Sequence, residues 1–368
     1  MAKAILRSWP PSRGTGQTAN TQDDPPRETR LITEATDNPV AVDLGADNVI
    51  IPDDDPDNGD ADSSLGSDTY TTSLTSGVFN YVYENGRRYH SYRSGAYPMP
   101  NDDREQNRLD MQHHICNMIL KGELFRAPLR KDIHQALDIG TGTGIWAIDF
   151  ADQFPKTEVV ATDLSAIQPT WVPPNLRFEI DDCESDWPYS TKFDYIHLRS
   201  MAGSISDWPR LMRQAYNNLE PGGWIEVSDF ETWASTDDDS LPETSSYYKF
   251  QTQLNRAAIK FGRPMNVAPQ FKKFVENAGF KNVTEEIYKI PLSPWAKDPK
   301  IKTLSRFMQL QMCESAEPYS LALFTRVLGW DNTQVQVLCA GLRADLRNLA
   351  YHMYTQMHLV YGMKPMNE

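Results

Sequence analysis

The chain has 368 residues, of which 36 are Lys or Arg and 50 are Asp or Glu, so its formal net charge at pH 7 is −14. This acidic balance argues against a general binder of nucleic acid or of anionic membranes, because both ligands are themselves negatively charged. Four cysteines occur, none in a C-x-x-C pair, and no cluster of His and Cys has zinc spacing. These features favour a reduced, intracellular protein without a metal site.

The N-terminal part of the chain concentrates the acidic charge. Residues 31–68 contain 11 acidic side chains and no Lys or Arg, and the run 51–64 is rich in Asp, Pro, Gly and Ser. Such a segment cannot bury enough apolar surface to offset its chain entropy. We therefore predict that residues 1–68 form a disordered acidic tail, which either recruits a partner or only solvates and spaces the chain. We expect no signal peptide and no membrane span, which would need about 18 consecutive apolar residues.

Residues 69–130 are predicted to form a cap before the main domain. The block opens with tyrosines and a turn, and a Pro-Asn-Asp sequence at 100–102 then supplies a helix start. On this helix, the adjacent His113 and His114 point about 100° apart, so they cannot chelate a metal together. We expect one of them to face the core or a ligand and the other to face water.

The most informative motif is the run ALDIGTGTGIWAI at residues 136–148. An apolar strand ends at the acidic residue Asp138, and Gly140, Gly142 and Gly144 follow. Glycine permits positive φ and close backbone approach at a turn from strand to helix. Dinucleotide sites use G-x-G-x-x-G, whereas G-x-G-x-G after a strand-end acid is the pattern of S-adenosylmethionine enzymes. The motif predicts a methyltransferase, and a plain packing turn or a nucleotide loop is the alternative.

The segments that follow alternate between β runs and helical runs, which predicts an α/β sheet covered on both faces. A β run at 157–162 leads to Asp163, 23 residues after the first glycine, where a doubly wound sheet presents a carboxylate to a ribose. A third strand at 175–182 ends at Asp182 beside Cys183, and both residues are expected near the adenine. The alternatives are a helix-capping role for the first aspartate and an ordinary loop position for the second.

The next segments extend the predicted sheet. A fourth strand is expected at 193–200, and a helix over 207–219 places its apolar side chains on one face. The Pro-Gly-Gly sequence at 221–223 forms a turn into a fifth strand within 219–228. The predicted S-adenosylmethionine core therefore covers residues 131–230.

Residues 231–368 are predicted to complete the sheet and to supply the helices on the substrate side. We expect two helices within 244–278, two more at 298–316 and 318–346, a sixth strand at 282–290 and a seventh at 349–362. The insertion between the last two strands carries an apolar set that forms a substrate lid, a dimer face or core. Core is the default for such residues, and the set comprises Phe307, Met308, Met312, Tyr319 and Phe324.

The sequence resembles the fungal LaeA-like methyltransferases over roughly residues 78–365. The resemblance is carried by ENGRRYH, SGAYPMPNDDREQNRLDMQHH, the glycine run, SAIQPTWVPPN, FDYIHLRSMAGSISDWPRL, PLSPWAKD, SLALFTRVLGW and the final GMKP. It implies the class I, Rossmann-like α/β methyltransferase fold, with a seven-stranded sheet, an N-terminal helical flap and a C-terminal helical insertion. It also implies S-adenosyl-L-methionine as the cofactor.

Two kinds of LaeA-like protein exist, and they differ in role. The founding type is a nuclear regulator of metabolite gene clusters that works with velvet-family partners, and it has Cys where this chain has Thr141. Members of the other type lie in biosynthetic clusters, where they are associated with methylation of the small molecule. Thr141, the run PYSLALFTRVLGW at 318–330 and the acidic tail favour the second type. We therefore predict a cytoplasmic enzyme that methylates an intermediate of fungal secondary metabolism, with the velvet-dependent nuclear regulator as the alternative.

The resemblance also implies roles for individual residues. The methionine end of the cofactor would be held by Asp138, Gly140, Gly142 and Gly144, the ribose by Asp163, and the adenine by Asp182 with Cys183. The N-terminal block would form a flap over the cofactor through Tyr83, Arg88, Tyr89 and Tyr92. The alternative for this block is a packing role without ligand contact.

Methyl transfer is an in-line displacement, so orientation of the two reactants supplies most of the acceleration. A general base helps if the acceptor is a phenol or an alcohol. Ligands of open α/β sheets bind beyond the carboxyl ends of the strands, so the candidates after strands four and five are Arg199, Ser200, Glu226 and Asp229. His197 lies inside its strand and is expected to be a satisfied core residue.

Overall fold

The computed structural model describes residues 44–53, 81–90 and 97–366. A short hairpin, β1 (Val82–Glu84) and β2 (Arg87–Tyr89), precedes seven strands: β3 (Gln135–Ile139), β4 (Glu158–Asp163), β5 (Leu176–Ile180), β6 (Phe193–Arg199), β7 (Leu219–Phe230), β8 (Lys281–Pro291) and β9 (Tyr354–Met363). The helices are α1 (Asp103–Ile119), α2 (Ile145–Gln153), α3 (Trp208–Asn218), α4 (Ser246–Phe261), α5 (Phe271–Asn277), α6 (Pro299–Leu328) and α7 (Asn332–Arg347). None of the helices in the described ranges is long and apolar enough to cross a membrane.

The seven strands form one sheet in the order β5-β4-β3-β6-β7-β9-β8. All neighbours are parallel except β9, which runs antiparallel to both β7 and β8. The chain leaves β3 toward one edge through β4 and β5 and then returns to the other side of β3 through β6. This reversal creates a crevice beyond the carboxyl ends of β3 and β6, where ligands of such sheets bind.

The sheet is covered on both faces, as the alternation of elements predicts. Ala136 of β3 packs in a cluster with α2, whereas its neighbours Leu137 and Ile139 point to the opposite face and pack with α3 and α5. A third and larger cluster joins α1, α4, α6 and α7 with the ends of β8 and β9. Residues of this third cluster line a smaller pocket that adjoins the crevice.

Pro318 does not end a helix, so the predicted division at this residue is wrong. Helix α6 runs through Pro318, which is buried, and ends at Leu328, followed by its C-cap Gly329 in the left-handed conformation. Helix α7 begins at Asn332, and its N-cap Asp331 forms a capping box with Gln334. The contacts of α6 with α1, α4 and α7 offset the local cost of an internal proline.

Residues 44–53 are ordered, although the sequence places them in the acidic tail. Leu44 and Ile50 are buried in the large cluster, and the carbonyl of Leu44 accepts a hydrogen bond from Lys289 N at 2.7 Å. Asp53 forms an ion pair with Lys302 of α6. The expected tail therefore does not extend unbroken to residue 68, and its remaining residues lie outside the described ranges.

Candidate active site

A cavity of about 430 Å³ occupies the crevice at the carboxyl ends of β3 to β6. Its size falls within the range of small-molecule sites. The sequence-predicted residues that line it are Asp138, Gly140, Gly142, Asp163, Asp182, Cys183, Arg199 and Ser200. Parallel strands bring these separate motifs to one edge of the sheet, because their carboxyl ends all meet there.

The glycine loop turns sharply between β3 and α2. Gly140, Gly142 and Gly144 have φ values of 72°, 60° and 84°, a region that side chains with a Cβ rarely adopt. A Cβ on Gly140 would lie 2.0 Å from Met201 Sδ, and one on Gly144 would lie 2.4 Å from Phe178 Cζ. A Cβ at either position would force the neighbouring side chain to move and would leave the backbone strained, which favours glycine.

Asp163 fixes the loop from the neighbouring strand. One carboxylate oxygen accepts from Gly142 N at 2.8 Å, and the other accepts from Ser165 N at 2.9 Å. Burial raises the pKa of Asp163 to about 6, against the effect of these two hydrogen bonds. The predicted ribose-binding residue thus also holds the glycine loop in shape.

Asp138 is buried and accepts a hydrogen bond from His197, with 2.7 Å between Oδ1 and Nδ1. The His197 ring stacks on Trp146, with 3.6 Å between the ring centroids. Burial lowers the pKa of His197 despite its acidic neighbour. His197 is therefore a neutral, satisfied residue that orients Asp138 at the cavity wall.

The far end of the cavity is formed by the loop after β5. Asp182 lines it and accepts from Glu184 N at 2.9 Å, while the Cys183 carbonyl accepts from Trp187 Nε1 at 2.8 Å. Burial raises the pKa of the Cys183 thiol, so this side chain lies in the cavity wall as a neutral group.

Helix α1 covers the cavity. His113 lines it and receives a hydrogen bond at Nδ1 from Arg199 at 2.9 Å, while its Nε2 lies 3.0 Å from Asp149 Oδ2. Burial, together with the Arg199 charge, lowers the pKa of His113 to about 3, so the ring is neutral. His114 is exposed, which confirms that one histidine of the pair faces the site and the other faces water.

A second pocket of about 70 Å³ adjoins the first, and Gln112 and Ser200 line both. Gln112 Nε2 donates to Ser200 Oγ at 2.6 Å, and Ser200 has a φ of 60°, unusual for a residue with a Cβ. Most of the other lining side chains are apolar and come from α1, α4, α6, the end of β7 and the segments next to α1, α4 and β8: Met99, Ile115, Phe230, Phe250, Leu254, Met265, Leu292, Met308 and Met312.

Asp229 and Glu231 are the two acids that line the second pocket. The two carboxylate oxygens of Asp229 accept from Ala202 N and Phe230 N, each at 2.8 Å, and burial raises its pKa to about 7. Glu231 also lines this pocket, and His358 Nε2 lies 2.9 Å from its Oε1. Among the described residues, no group of three or more His, Cys, Asp or Glu is arranged to hold a metal ion.

Residues 111–285 match a family model described as a methyltransferase domain. The chain is 45% identical over 303 residues to the methyltransferase pytC of Aspergillus terreus, which covers 82% of this chain and 94% of that protein. It is 37% identical to the secondary metabolism regulator LAE1 of Cochliobolus heterostrophus, covering 78% of this chain and 95% of that protein. The chain belongs to the LaeA-like methyltransferase family.

Solved structures of low sequence identity are also similar. Phosphoethanolamine N-methyltransferase 2 of Haemonchus contortus is 19% identical, with a TM-score of 0.38, and the match covers 71% of this chain and 53% of that chain. The YcgJ protein of Bacillus subtilis is 17% identical with a TM-score of 0.39, over 69% of this chain and all of that chain.

The protein is thus an S-adenosylmethionine-dependent methyltransferase of class I fold. The cavity fits this cofactor in two respects. The glycine loop lines the cavity through Gly140, Thr141 and Gly142, and the buried Thr141 Oγ1 has no hydrogen-bond partner within the described part of the chain. Asp138, Asp163 and Asp182 all line this cavity.

The predicted flap is a β-hairpin followed by α1, and the residues predicted to contact the cofactor lie in different environments. Tyr89 lines neither pocket; it is buried, with the Arg326 guanidinium 5.1 Å above its ring. Tyr83 is exposed, Arg88 donates to Asn101, and Tyr92 lies outside the described residues. Tyr97, which the sequence analysis did not single out, lines the cofactor cavity instead.

Three of the four catalytic candidates line a pocket, and the fourth does not. Arg199 and Ser200 line the cofactor cavity and Asp229 lines the second pocket, whereas Glu226 lines neither. The Glu226 carboxylate accepts from Arg126 N at 2.8 Å and Ala127 N at 2.7 Å, so it holds the loop before β3. Sequence reasoning missed Gln112 and Gln251, because nothing in a single helical sequence distinguishes a glutamine that faces a pocket.

Proposed function

We propose that this enzyme methylates a small organic molecule of fungal secondary metabolism, bound in the second pocket. One observation carries the proposal: an enclosed, largely apolar pocket opens beside the cofactor cavity at Gln112 and Ser200. Apolar and polar side chains both line this pocket, and its volume of about 70 Å³ suits only a compact organic group placed next to the cofactor cavity. Such a chamber has no room for an extended protein segment.

When bound, S-adenosylmethionine supplies a methyl group on a positively charged sulfur. The residues of the chain align the acceptor with this group and exclude water, since α1 and α6 enclose the junction between the two cavities. The acceptor forms a bond to the methyl carbon as the sulfur–carbon bond breaks. A hydroxyl or N–H acceptor also loses a proton.

Asp229 is the residue best placed to receive that proton. Two backbone N–H groups hold its carboxylate in one orientation within the second pocket. Its pKa of about 7, raised by burial, makes it a stronger base than an exposed aspartate while leaving it largely ionised above neutral pH. We assign it as the general base.

The proposal is tested by incubating the purified chain with methyl-labelled S-adenosylmethionine and a culture extract of the fungus that encodes it. We expect the label to enter one dominant low-molecular-weight product, identified by mass spectrometry. An enzyme that binds the cofactor but labels only protein in the same extract would contradict the proposal.

A regulatory role in the cell is the second candidate function, because several relatives at 32–37% identity are named secondary metabolism regulators. Deletion of the gene separates the two roles. A biosynthetic enzyme leaves one unmethylated compound in its place, whereas a velvet-dependent regulator changes the transcripts of several gene clusters together.

A further inference from the structure

The second pocket has an unusual balance of charge for a binding site. Two carboxylates, Asp229 and Glu231, line it, and none of the described residues that line it is Lys, Arg or His. Arg108 lies behind this wall, with its guanidinium 5.4 Å from the ring centre of Tyr319, but Glu105 pairs with it at 2.7 Å. Glu231 pairs with His358, whose pKa the acids Glu231 and Glu285 raise against burial, and His358 lies outside the lining. An anionic acceptor would therefore meet Asp229, which has no cationic partner in the lining, and one paired carboxylate.

The orientation of the Gln251 side chain in this pocket is fixed. It lies on α4 and is 2% exposed, and its Oε1 accepts from Ala234 N at 2.9 Å. A main-chain N–H can only donate, so the oxygen of the amide must face Ala234. The NH₂ group is therefore the end of the amide left for the pocket.

The amide nitrogen of Gln251 has no hydrogen-bond partner among the described residues. A buried donor without a partner is destabilising, so such groups bind either an ordered water or a ligand. Gln251 lines the second pocket, which offers the space for either. The acceptor would displace the water and take over its hydrogen bond.

We propose that Gln251 is a specificity-determining residue, whose Nε2 donates to a carbonyl or other neutral oxygen of an uncharged acceptor. This inference rests on the proposed function, because it takes the second pocket as the acceptor site. Apolar side chains surround most of the acceptor, Gln251 fixes its orientation, and the two carboxylates exclude anions. The substrate class is thus a compact, neutral, oxygen-bearing organic molecule.

Three probes of nearly equal shape test this inference: acetophenone with a carbonyl oxygen, cumene without a polar atom, and benzoate with a negative charge. Their affinities are measured by NMR on protein with ¹³C-labelled methionine methyl groups, in saturating S-adenosylhomocysteine, which fills the first cavity. The methyl groups of Met308 and Met312 report occupancy of the second pocket, since both residues line it.

We expect acetophenone to bind most tightly and benzoate not to bind. In Gln251→Met the acetophenone Kd should rise about five-fold, as for loss of one neutral hydrogen bond, while the cumene Kd changes less than two-fold. In its ionised form, Gln251→Glu keeps an oxygen for Ala234 but lacks the donor, and it should weaken acetophenone binding in the same direction. Gln253→Met, on the same helix but outside the pocket lining, is the control and should bind all three probes as wild type does.

Equal losses for acetophenone and cumene in Gln251→Met would overturn the inference, as would benzoate binding at the methionine signals. Failure of S-adenosylhomocysteine to bind the wild-type chain would instead count against the proposed function. The two failures are distinguishable because the cofactor product is titrated first.

Discussion

At the residue scale, the buried position of Asp229 determines both its basicity and the stability of its charged form. Its carboxylate accepts two backbone hydrogen bonds, yet burial still raises its pKa to about 7. A carboxylate in this state gains a proton more readily than an exposed one, and its charged form is less stable in the folded protein. Burial of Asp229 therefore affects the pH dependence of catalysis. Burial of a carboxylate outside the pockets affects the pH dependence of stability.

The catalytic consequence is a rate that rises with pH. Because Asp229 must be ionised to accept a proton, kcat/KM should increase between pH 6 and 8 and become constant above that range. Asp229→Asn should lower kcat/KM about 10²- to 10⁴-fold and abolish this pH dependence. Methyl transfer to the acceptor identified from culture extract is the measurement.

A matched control is available in Asp194, which also accepts two backbone hydrogen bonds, from His134 N and Gln135 N, but lies outside both pockets. Asp194→Asn should affect stability and leave the pH profile unchanged. A wild-type-like profile in Asp229→Asn would remove Asp229 from the mechanism.

The consequence for stability is best tested at Glu226, which has no part in either pocket. Burial raises its pKa to about 7, so between the unfolded pKa near 4.5 and pH 7 the folded state holds a proton that the unfolded state has released. Stability from this group is therefore lost as the pH rises through that window. We compare the free energy of unfolding of wild type with that of Glu226→Gln. Wild type minus variant should be about 2 kcal/mol smaller at pH 8 than at pH 5. Urea unfolding at both pH values measures this; a difference that does not change with pH would contradict it.

A comparison of two glycines in the left-handed conformation distinguishes the effect of backbone strain from the effect of a steric clash. Gly144 of the glycine loop and Gly262 after α4 both have φ of 84°, but a Cβ meets Phe178 Cζ at 2.4 Å only at Gly144, whereas nothing lies within 4 Å at Gly262. Both Ala substitutions should cost about 1 kcal/mol through strain. Gly144→Ala alone should also weaken S-adenosylmethionine binding more than ten-fold, as measured by calorimetry. Equal cofactor affinities of the two variants would show that the close packing of the loop is unimportant.

At the scale of elements, the side chain of Asp102 links the start of α1 to the hairpin. Asp102 caps α1 by accepting from Glu105 N at 3.0 Å, and it also accepts two hydrogen bonds from Arg87, at 2.6 and 2.9 Å. Gln112 and His113 of this helix line the cofactor cavity. The attachment of the flap therefore bears on the site although Asp102 does not touch it.

Asp102→Ala should destabilise the hairpin and the start of α1 by about 2 kcal/mol, from loss of the cap and of the ion pair. Hydrogen exchange of the α1 amides should accelerate, and cofactor affinity should fall. Asp103→Ala removes an acid from the next position, whose side chain is 89% exposed, and should have little effect on either measurement. Slow exchange in Asp102→Ala would show that packing alone holds the helix.

At the scale of the whole molecule, residues 44–53 connect the N-terminal part of the chain to its C-terminal elements. Leu44 and Ile50 enter the large core cluster, and Asp53 pairs with Lys302. Deletion of residues 1–53 should therefore lower the free energy of unfolding by about 3 kcal/mol relative to deletion of residues 1–43. Chemical denaturation of the two truncated chains, with m-values compared, measures the difference, and identical midpoints would show that the segment is dispensable.

The sequence predicts local features of this molecule well and distant ones poorly. Asp138, the three glycines and Asp163 are recognisable because strand, turn and helix start follow one another within a short window. The structure brings Asp138, Gly140, Gly142 and Asp163 together in one cavity, whose lining does not include Gly144. The second pocket is assembled from segments as far apart as Met99 and Thr355, so no window of sequence contains it. The predicted helix end at Pro318 is wrong for the same reason. The local effect of the proline is outweighed by contacts of α6 that only the tertiary fold supplies.

The bridge between Gly45 and Tyr288 lies on the outer side of β8, the last strand of the sheet. An open strand edge offers unpaired N–H and C=O groups to any other chain, and proteins cover such edges to avoid aggregation. Here a segment more than 200 residues away in sequence occupies part of that edge through Lys289 N. During synthesis this segment emerges before the strand that it later covers, so the edge need never be left open to a neighbouring nascent chain.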